Sequence, residues 1–475
     1  MRINHNSMAL NASDHFEKLN KNIAKSMERL SSGFKITSPA DDAAGLAIST
    51  KMSAQIRGLD RAALNANDGV SVIQSAEGGL EQIHSILARM RELSIQAAND
   101  VNFEEDRDSI QEEINALAEE IDQIVDTTAF NGQKLLNGNL TRRSMSSEYT
   151  IQTTYMSETV AAGIYEMEVT ASATQATYVT GFSYSANTVT AEQAGNINVN
   201  GFSVGVSEGM TMTEVFGQLQ AHLTKIGVDV IASNNGGETE VDFDSSAPVI
   251  FRSKEYGSNQ KIEITVGNPE LAAMLGINDG DVTYGTDCKA NISVTEHGFT
   301  STASFTTLGN EITIVDRNGF EMKVEVEPGA AKDGPVSTKI EVLSAGTMVI
   351  QTGANSGEQL SMDIPNVNAK RLGVDNLIMY THDYASQAVT AIDEAVKMIS
   401  NIRSKLGAYE NRLEDVHGTL EIQEESVTAA YSRILDTDMA EEMTNYTQLD
   451  VLSQAAISMM QRSNERPESV LQLLQ

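Results

Sequence analysis

One apolar seam constrains this 475-residue chain more than any other feature. Met52, Ile56, Leu59, Ala63, Ala66, Val70, Ile73, Ala76, Leu80, Ile83, Leu87 and Met90 step by four and three, with one 3-3 irregularity around Ile73, beside Gly78-Gly79. Such a repeat over about five heptads is the pattern of a helix that winds against partner helices. A helix from about Ala44 to Ala98 would be roughly 80 Å long. A second seam runs near the other end, through Ile392, Ala395, Ile399, Ile402, Leu406, Tyr409, Leu413, Val416 and Leu420. Neither stripe can be buried by its own helix. The economical arrangement is a long antiparallel bundle of the two arms, with the middle of the chain projecting as an insertion.

Local signals divide the arms. Phe16, Leu19, Ile23 and Leu30 share one helix face, closed by Ser31-Ser32-Gly33 with glycine at the left-handed cap. Ser38-Pro39 reads as a restart, with serine capping and Asp41 and Asp42 near the positive end of the dipole. Asn102 and Glu105 have capping-box spacing, followed by a stripe of Ile110, Ile114, Leu117, Ile121 and Ile124. Asn131-Gly132 and Asn137-Gly138 mark tight turns. The last stripe runs Met439, Met443, Tyr446, Leu449, Leu452, Ala456 and Met459 until Arg466-Pro467, read as a helix breaker. The outermost stripes have little within one chain to pack on. They are therefore expected to be unfolded in the free chain and to bury themselves between copies, with Phe16, Leu19, Ile23, Leu30, Met443, Leu449, Leu452, Met459, Leu471 and Leu474 as assembly residues. Ile56, Leu59, Ile83, Leu87, Ile114, Leu117, Ile399, Leu406 and Leu413 are the expected core of the rod.

Composition changes between the arms. The middle is rich in Thr, Val, Gly and Ser, and it holds the short β-branched runs KIEITV, EITIV, KVEVE and MVIQ. Thr211 and Glu214 form a capping box ahead of Phe216, Leu219, Leu223 and Ile226. This helix lies between NINVNGFSVGV and GVDVIAS, so an α+β module is expected near 195–266. The fold class is α+β multidomain. Composition divides the chain into helical arms at 1–140 and 371–475 and a strand-rich middle at 141–370.

Charge and motifs exclude several functions. With 33 basic against 66 acidic residues the chain has a net charge of −33, unsuited to nucleic acid or an anionic membrane. Residues 141–370 hold twelve of the bases and 28 of the acids. The start of the chain lacks a basic segment followed by an apolar run, so no ordinary secretory signal is read there. The seven histidines have no metal-ligand spacing, and the single cysteine, Cys288, has no CxxC or histidine beside it. Asn278-Asp279-Gly280-Asp281 and Asp242-Phe243-Asp244 match calcium loops only loosely and read as turns. No cofactor, metal or catalytic site is expected, so function must lie in surfaces.

Several motifs carry a family resemblance. ERLSSGFKITSPADDAAGLAIS at Glu28–Ser49 resembles the N-terminal signature of bacterial flagellin. NANDGVSVIQSAEGGL, MRELSIQAAND, SIQEEINALAEEID and FNGQKLL follow in the family's order. AIDEAVKMISNIRSKLGAYENRLE, YSRILDTDMAEEM and SQAAISMMQRSNERPESVLQLLQ resemble its C-terminus. The resemblance covers 1–140 and 345–475 and implies terminal helices 1–43 with 435–475, a rod of 44–140 with 345–434 and a β-rich insert of 141–344. It implies a non-enzymatic subunit of the extracellular flagellar filament, exported through a type III channel without a cleaved leader. A hook–filament junction protein, which shares the terminal helices, is the alternative. Implied partners are further copies of the chain, an export chaperone, a cap protein and a host Toll-like receptor. By resemblance Arg89, Leu93 and Glu113 match the receptor-contact positions. Some flagellins carry a zinc peptidase in the insert; here the insert has only His222 and His297 and no HExxH, so that activity is not expected.

Overall fold

Helix α1 (Ser7–Ser32) is followed by α2 (Ala43–Ala97) and α3 (Glu104–Thr127) in a computed structural model of the chain. The structure describes residues 6–157, 159–181, 188–232, 248–294, 298–332, 334–343 and 346–473. The insert holds α4 (Met212–Leu223) and α5 (Pro269–Leu275). The short α6 (Ala369–Leu372) precedes α7 (His382–Leu435) and α8 (Met439–Leu473). At 55 residues α2 is about 82 Å long. No described helix is long and apolar enough to cross a membrane.

The chain forms two compact units, and α2 and α7 contribute to both. The first holds residues 1–70, 350–360 and 411–475. In it Leu59, Ala62, Ala63 and Leu420 form a buried cluster flanked by Val416 and Val427, while Ile56 is half-buried. Leu413 is buried beside Gly69, where any Cβ would strike it and Ile350. Glycine lets the hairpin of Met348–Gln351 and Gln359–Met362 lie against α2 at this point.

The second unit holds residues 71–349 and 361–410. Ile83, Leu87, Ile399 and Leu406 are buried, as the seams require. Arg403 Nε meets Glu77 Oε1 at 2.6 Å and Arg91 Nε meets Asp393 Oδ1 at 2.7 Å, which fixes α2 and α7 antiparallel. Ile110, Ile114 and Ile121 of α3 are buried, but its stripe turns onto Ala118 and Val125 and leaves Leu117 and Ile124 half-buried. A straight helix of 3.6 residues per turn drifts from a strict 3-4 repeat. The seam's irregularity lies next to Gly79, which sits under Thr128 and Leu136.

Two insert cores stand in this unit. One lies between the sheet 289–293, 163–171, 336–342, 144–146 and the sheet 304–308, 311–315, 321–326, 151–156. All pairings in these two sheets are antiparallel. The other core packs α4 and α5 with a four-stranded sheet (281–284, 261–266, 195–199, 202–206) and a three-stranded one (175–179, 249–256, 228–232). The expected strand–helix–strand piece is present, but its core extends from Ala176 to Ile277 rather than 195–266. The second module is nested inside the first: Thr174 and Thr286, at its entry and exit, are bridged to each other.

Local signals were also redirected. Gly33 caps α1 at φ 75°, as read. The α2 start falls later than Ser38-Pro39, because Asp42 Oδ1 accepts from the Ala44 and Gly45 N–H groups at 3.0 and 2.9 Å. Ser38 instead donates to Asp41, together with Thr37. At α3 only half of a capping box forms, one residue on, with Asp106 accepting from the Phe103 N–H at 3.1 Å while Phe103 offers no side-chain acceptor in return. Asn102 is drawn away, donating to the Gln96 carbonyl near the end of α2. Thr211 and Glu214 do form their box.

Candidate assembly surface at the chain ends

The first and last helices, expected to order on assembly, are paired with each other in the first unit. Asn6 Nδ2 donates to the Ser463 carbonyl at 2.9 Å, and Ser26 Oγ donates to Glu442 Oε1 at 2.5 Å. The start of α1 therefore meets the end of α8, and the pair is antiparallel. The corner is closed by backbone bonds from Lys35 N–H to the Leu435 carbonyl (2.6 Å) and from Thr437 N–H to the Gly33 carbonyl (2.9 Å). Asp438 caps α8, accepting from Ala440 and Glu441. Glu441 and Glu442 then lie at the positive end of the helix dipole.

Helix α8 continues through Pro467, contrary to the reading of Arg466-Pro467 as a breaker. Proline lacks the N–H that would bond the carbonyl four residues earlier, which is that of Ser463. Asn6 supplies the missing donor. Its Oδ1 meanwhile accepts from the Ala9 N–H at 3.1 Å and so caps α1. One side chain thus serves an orphan group on each helix.

Each helix has one covered face and carries exposed apolar residues elsewhere. On α1 the half-buried or buried stripe runs Asn6, Ala9, Ala12, Phe16, Leu19, Ile23, Ser26 and Leu30. On α8 the corresponding stripe runs Glu442, Tyr446, Leu449, Ser453, Ala456, Met460 and Ser463. It mixes Ser453, Ala456 and Ser463 with the larger Tyr446, Leu449 and Met460. Other large apolar residues are left open, Val451 at 59%, Leu452 at 45% and Met459 at 66% exposure, with Met439, Met443 and Ile457 also exposed. On α1, Met8, Leu10 and Met27 are exposed. Of the expected assembly residues, Phe16, Leu19, Ile23, Leu30 and Leu449 thus lie on the intramolecular seam, while Met443, Leu452 and Met459 face away from it. The side chain of Leu471 and all of Leu474 lie outside the described residues. The sequence stripe missed Asn6, Ser26, Glu442, Ser453 and Ser463. Pro467 was the available signal, since a proline inside a helix implies an orphan carbonyl.

Charges frame the pair. Lys25 Nζ meets Asp41 Oδ1 at 2.6 Å, and Arg29 reaches Glu442 at 3.7 Å. The Lys25 ammonium, followed by donors from Ser38 and Thr37, holds the Asp41 carboxyl well below the usual range. In the second unit Arg89 pairs with Glu113 at 2.8 Å and with Glu92 at 3.3 Å, both on the surface, whereas Leu93 is 2% exposed. Cys288 is buried, and burial pushes its thiol up to about 11, leaving it inert at neutral pH. Asp279 accepts from the Val266 N–H at 2.8 Å, a turn role. Asp242, Asp244 and His297 lie outside the described residues. Among the described residues no group of three or more His, Cys, Asp or Glu could hold a metal ion.

Helices apolar on both flanks of their own seam are the mark of a structural protein that completes its burial against other copies. Comparison agrees. Residues 3–141 match the family model of the bacterial flagellin N-terminal helical region, and residues 389–474 match that of the C-terminal helical region. A flagellin of Clostridium tyrobutyricum is 32% identical over 468 residues, covering 98% of this chain and 100% of its own length. Flagellin D of Vibrio anguillarum is 29% identical over 475 residues, covering 100% and 99%. Polar flagellin F of Vibrio parahaemolyticus is 30% identical, covering 99% of each. The chain belongs to the bacterial flagellins. It is a structural subunit of the extracellular flagellar filament, a reading favoured over the hook–filament junction alternative.

Proposed function

We propose that copies of this chain polymerise through the open faces of α1 and α8. The observation that carries the reading is the division of α8: the stripe from Glu442 to Ser463 is covered, while Met443, Val451, Leu452, Ile457 and Met459 on its other faces are left for neighbours. Burying a side chain of this size contributes about 1.5–3 kcal/mol. A few per subunit, repeated along a filament, offset the cost of ordering. In this reading 1–43 with 435–475 line the filament core, 44–140 with 345–434 form the surrounding rod, and the acidic insert 141–344 faces solvent. An export chaperone covers the open faces before assembly, and a cap protein receives the subunit at the growing end. No catalytic step is assigned to the chain. For a host Toll-like receptor, Arg89 and Glu113 offer accessible charge, while Leu93 supports them from within the bundle.

The test is elongation of filament seeds, followed by light scattering and electron microscopy. The full chain should extend seeds. A chain lacking both α1 and α8 should remain soluble, keep the circular dichroism of its remaining elements and fail to elongate. Elongation by that truncated chain would remove the proposed surface. A chain lacking 145–340 should still polymerise, and failure there would mean that the insert takes part in assembly.

A further inference from the structure

The open apolar side chains of the terminal helices are unusually rich in thioethers. Met8, Met27, Met439, Met443 and Met459 stand there with Leu10, Val451, Leu452 and Ile457. Methionines elsewhere, such as Met90, Met322, Met362 and Met379, are fully buried. An exposed thioether reacts with hydroperoxides, whereas one enclosed in a core is shielded. The same flexible side chains suit a surface that must adapt to several neighbours.

We propose that Met27, Met439, Met443 and Met459 form an oxidation-sensitive modification site that controls entry into the filament. This rests on the assembly surface proposed above. In the free subunit a hydroperoxide oxidises these side chains. The sulfur lone pair attacks the outer peroxide oxygen, an S–O bond forms as the O–O bond breaks, and hydrogen peroxide leaves as water. The thioether is oxidised and the peroxide reduced, one for one. The product is a polar sulfoxide on a face that must become dry when copies pack, where a desolvated acceptor is costly. Oxidised subunits are therefore excluded, while subunits already polymerised are protected by their neighbours. Met8 is set apart, because its sulfur lies 3.9 Å from Arg466 Nη1, whose N–H can be donated to a sulfoxide oxygen.

Full-length protein is treated with hydrogen peroxide as free subunit and as filament, then mapped by peptide mass spectrometry and assayed for seed elongation. The four methionines should oxidise in the free subunit and be spared in the filament. Met145, 62% exposed in the insert, should oxidise in both. Elongation by treated subunits should fall by at least about tenfold with unchanged circular dichroism, and sulfoxide reductases acting on both epimers should restore it. The quadruple variant M27L/M439L/M443L/M459L, read against its own untreated control, should lose little of its elongation on peroxide treatment. Equal loss in that variant, no loss in the wild type, or equal oxidation of the four residues in filaments would overturn the proposal. Unoxidised Leu452→Asp separates the two readings: it should block elongation, and normal elongation would refute the assembly surface itself.

Discussion

Replacing Asn6 by serine tests the linkage between α1 and α8 most directly. Serine keeps an oxygen that can cap α1 but lacks the amide that reaches the Ser463 carbonyl at 2.9 Å. A buried acceptor left without its donor costs about 1–3 kcal/mol. Asn6 and Ser463 are both half-buried, so a value near the lower limit, about 1 kcal/mol, is expected. Pro467→Ala should remove that penalty, because alanine restores the N–H that Ser463 otherwise lacks. The alanine change alone also relieves the proline's own helix cost, so only a double-mutant cycle isolates the linkage. The assay is native-state hydrogen exchange of α1 and α8 amides in the monomer, which reads local opening without requiring two-state unfolding. Asn6→Ser should speed exchange roughly fivefold in the parent chain, and much less in the Pro467→Ala background. Additivity within about 0.3–0.5 kcal/mol would mean that Asn6 does not serve the orphan carbonyl, and the argument would fail.

Two further outcomes follow from local geometry. Gly79→Ala should lower the melting temperature, since its Cβ would meet Thr128 Oγ1 at 2.7 Å and Leu136 Cδ1 at 2.9 Å, an overpacking of about 1–3 kcal/mol. Gly78→Ala, with nothing within 4 Å of its Cβ, should instead stabilise by about 0.5–1 kcal/mol; similar signs for both would refute the packing argument. Asp41 tests the pH dependence. Its pKa is depressed on folding, so its contribution is present above its ordinary value of 3.8 and is lost as pH falls through the folded value. The stability difference between wild type and Asp41→Asn should be flat from neutral pH to about 4 and shrink only in stronger acid. A difference that vanishes between pH 5 and 7 would contradict this assignment.

The heptad seams were legible because a long helix repeats its environment every turn or two. Ile83, Leu87, Ile399 and Leu406 needed nothing beyond spacing. Boundaries were less legible where several polar residues compete for the same N–H groups. Asp42 displaced Ser38, and Asp106 displaced Glu105 once Asn102 turned back to Gln96. On α8 the failure had another cause. A helix with Met, Val, Leu and Ile on most of its circumference gives no single stripe by periodicity, so its inward face could be found only with α1 in place. The short strands KIEITV and EITIV were readable one at a time. Their partners were not: 151–156 pairs with 321–326 and 163–171 with 336–342, far beyond any local signal.

The nesting of the insert bears on how such a chain can fold at all. Thr174 and Thr286 are 112 positions apart and Ser146 and Thr338 are 192 apart, one pair enclosed by the other, while Glu77 and Arg403 enclose both at a separation of 326. The contacts work like parentheses. Once the inner pair closes, the next loop behaves as one of about 80 flexible residues rather than 192, which lowers its closure cost by about 0.8 kcal/mol. A search that looks hopelessly long-range along the linear chain becomes a series of shorter closures, provided it proceeds from the inside outward. The same bracketing marks where an inner module can be cut out whole, because its two ends already lie side by side.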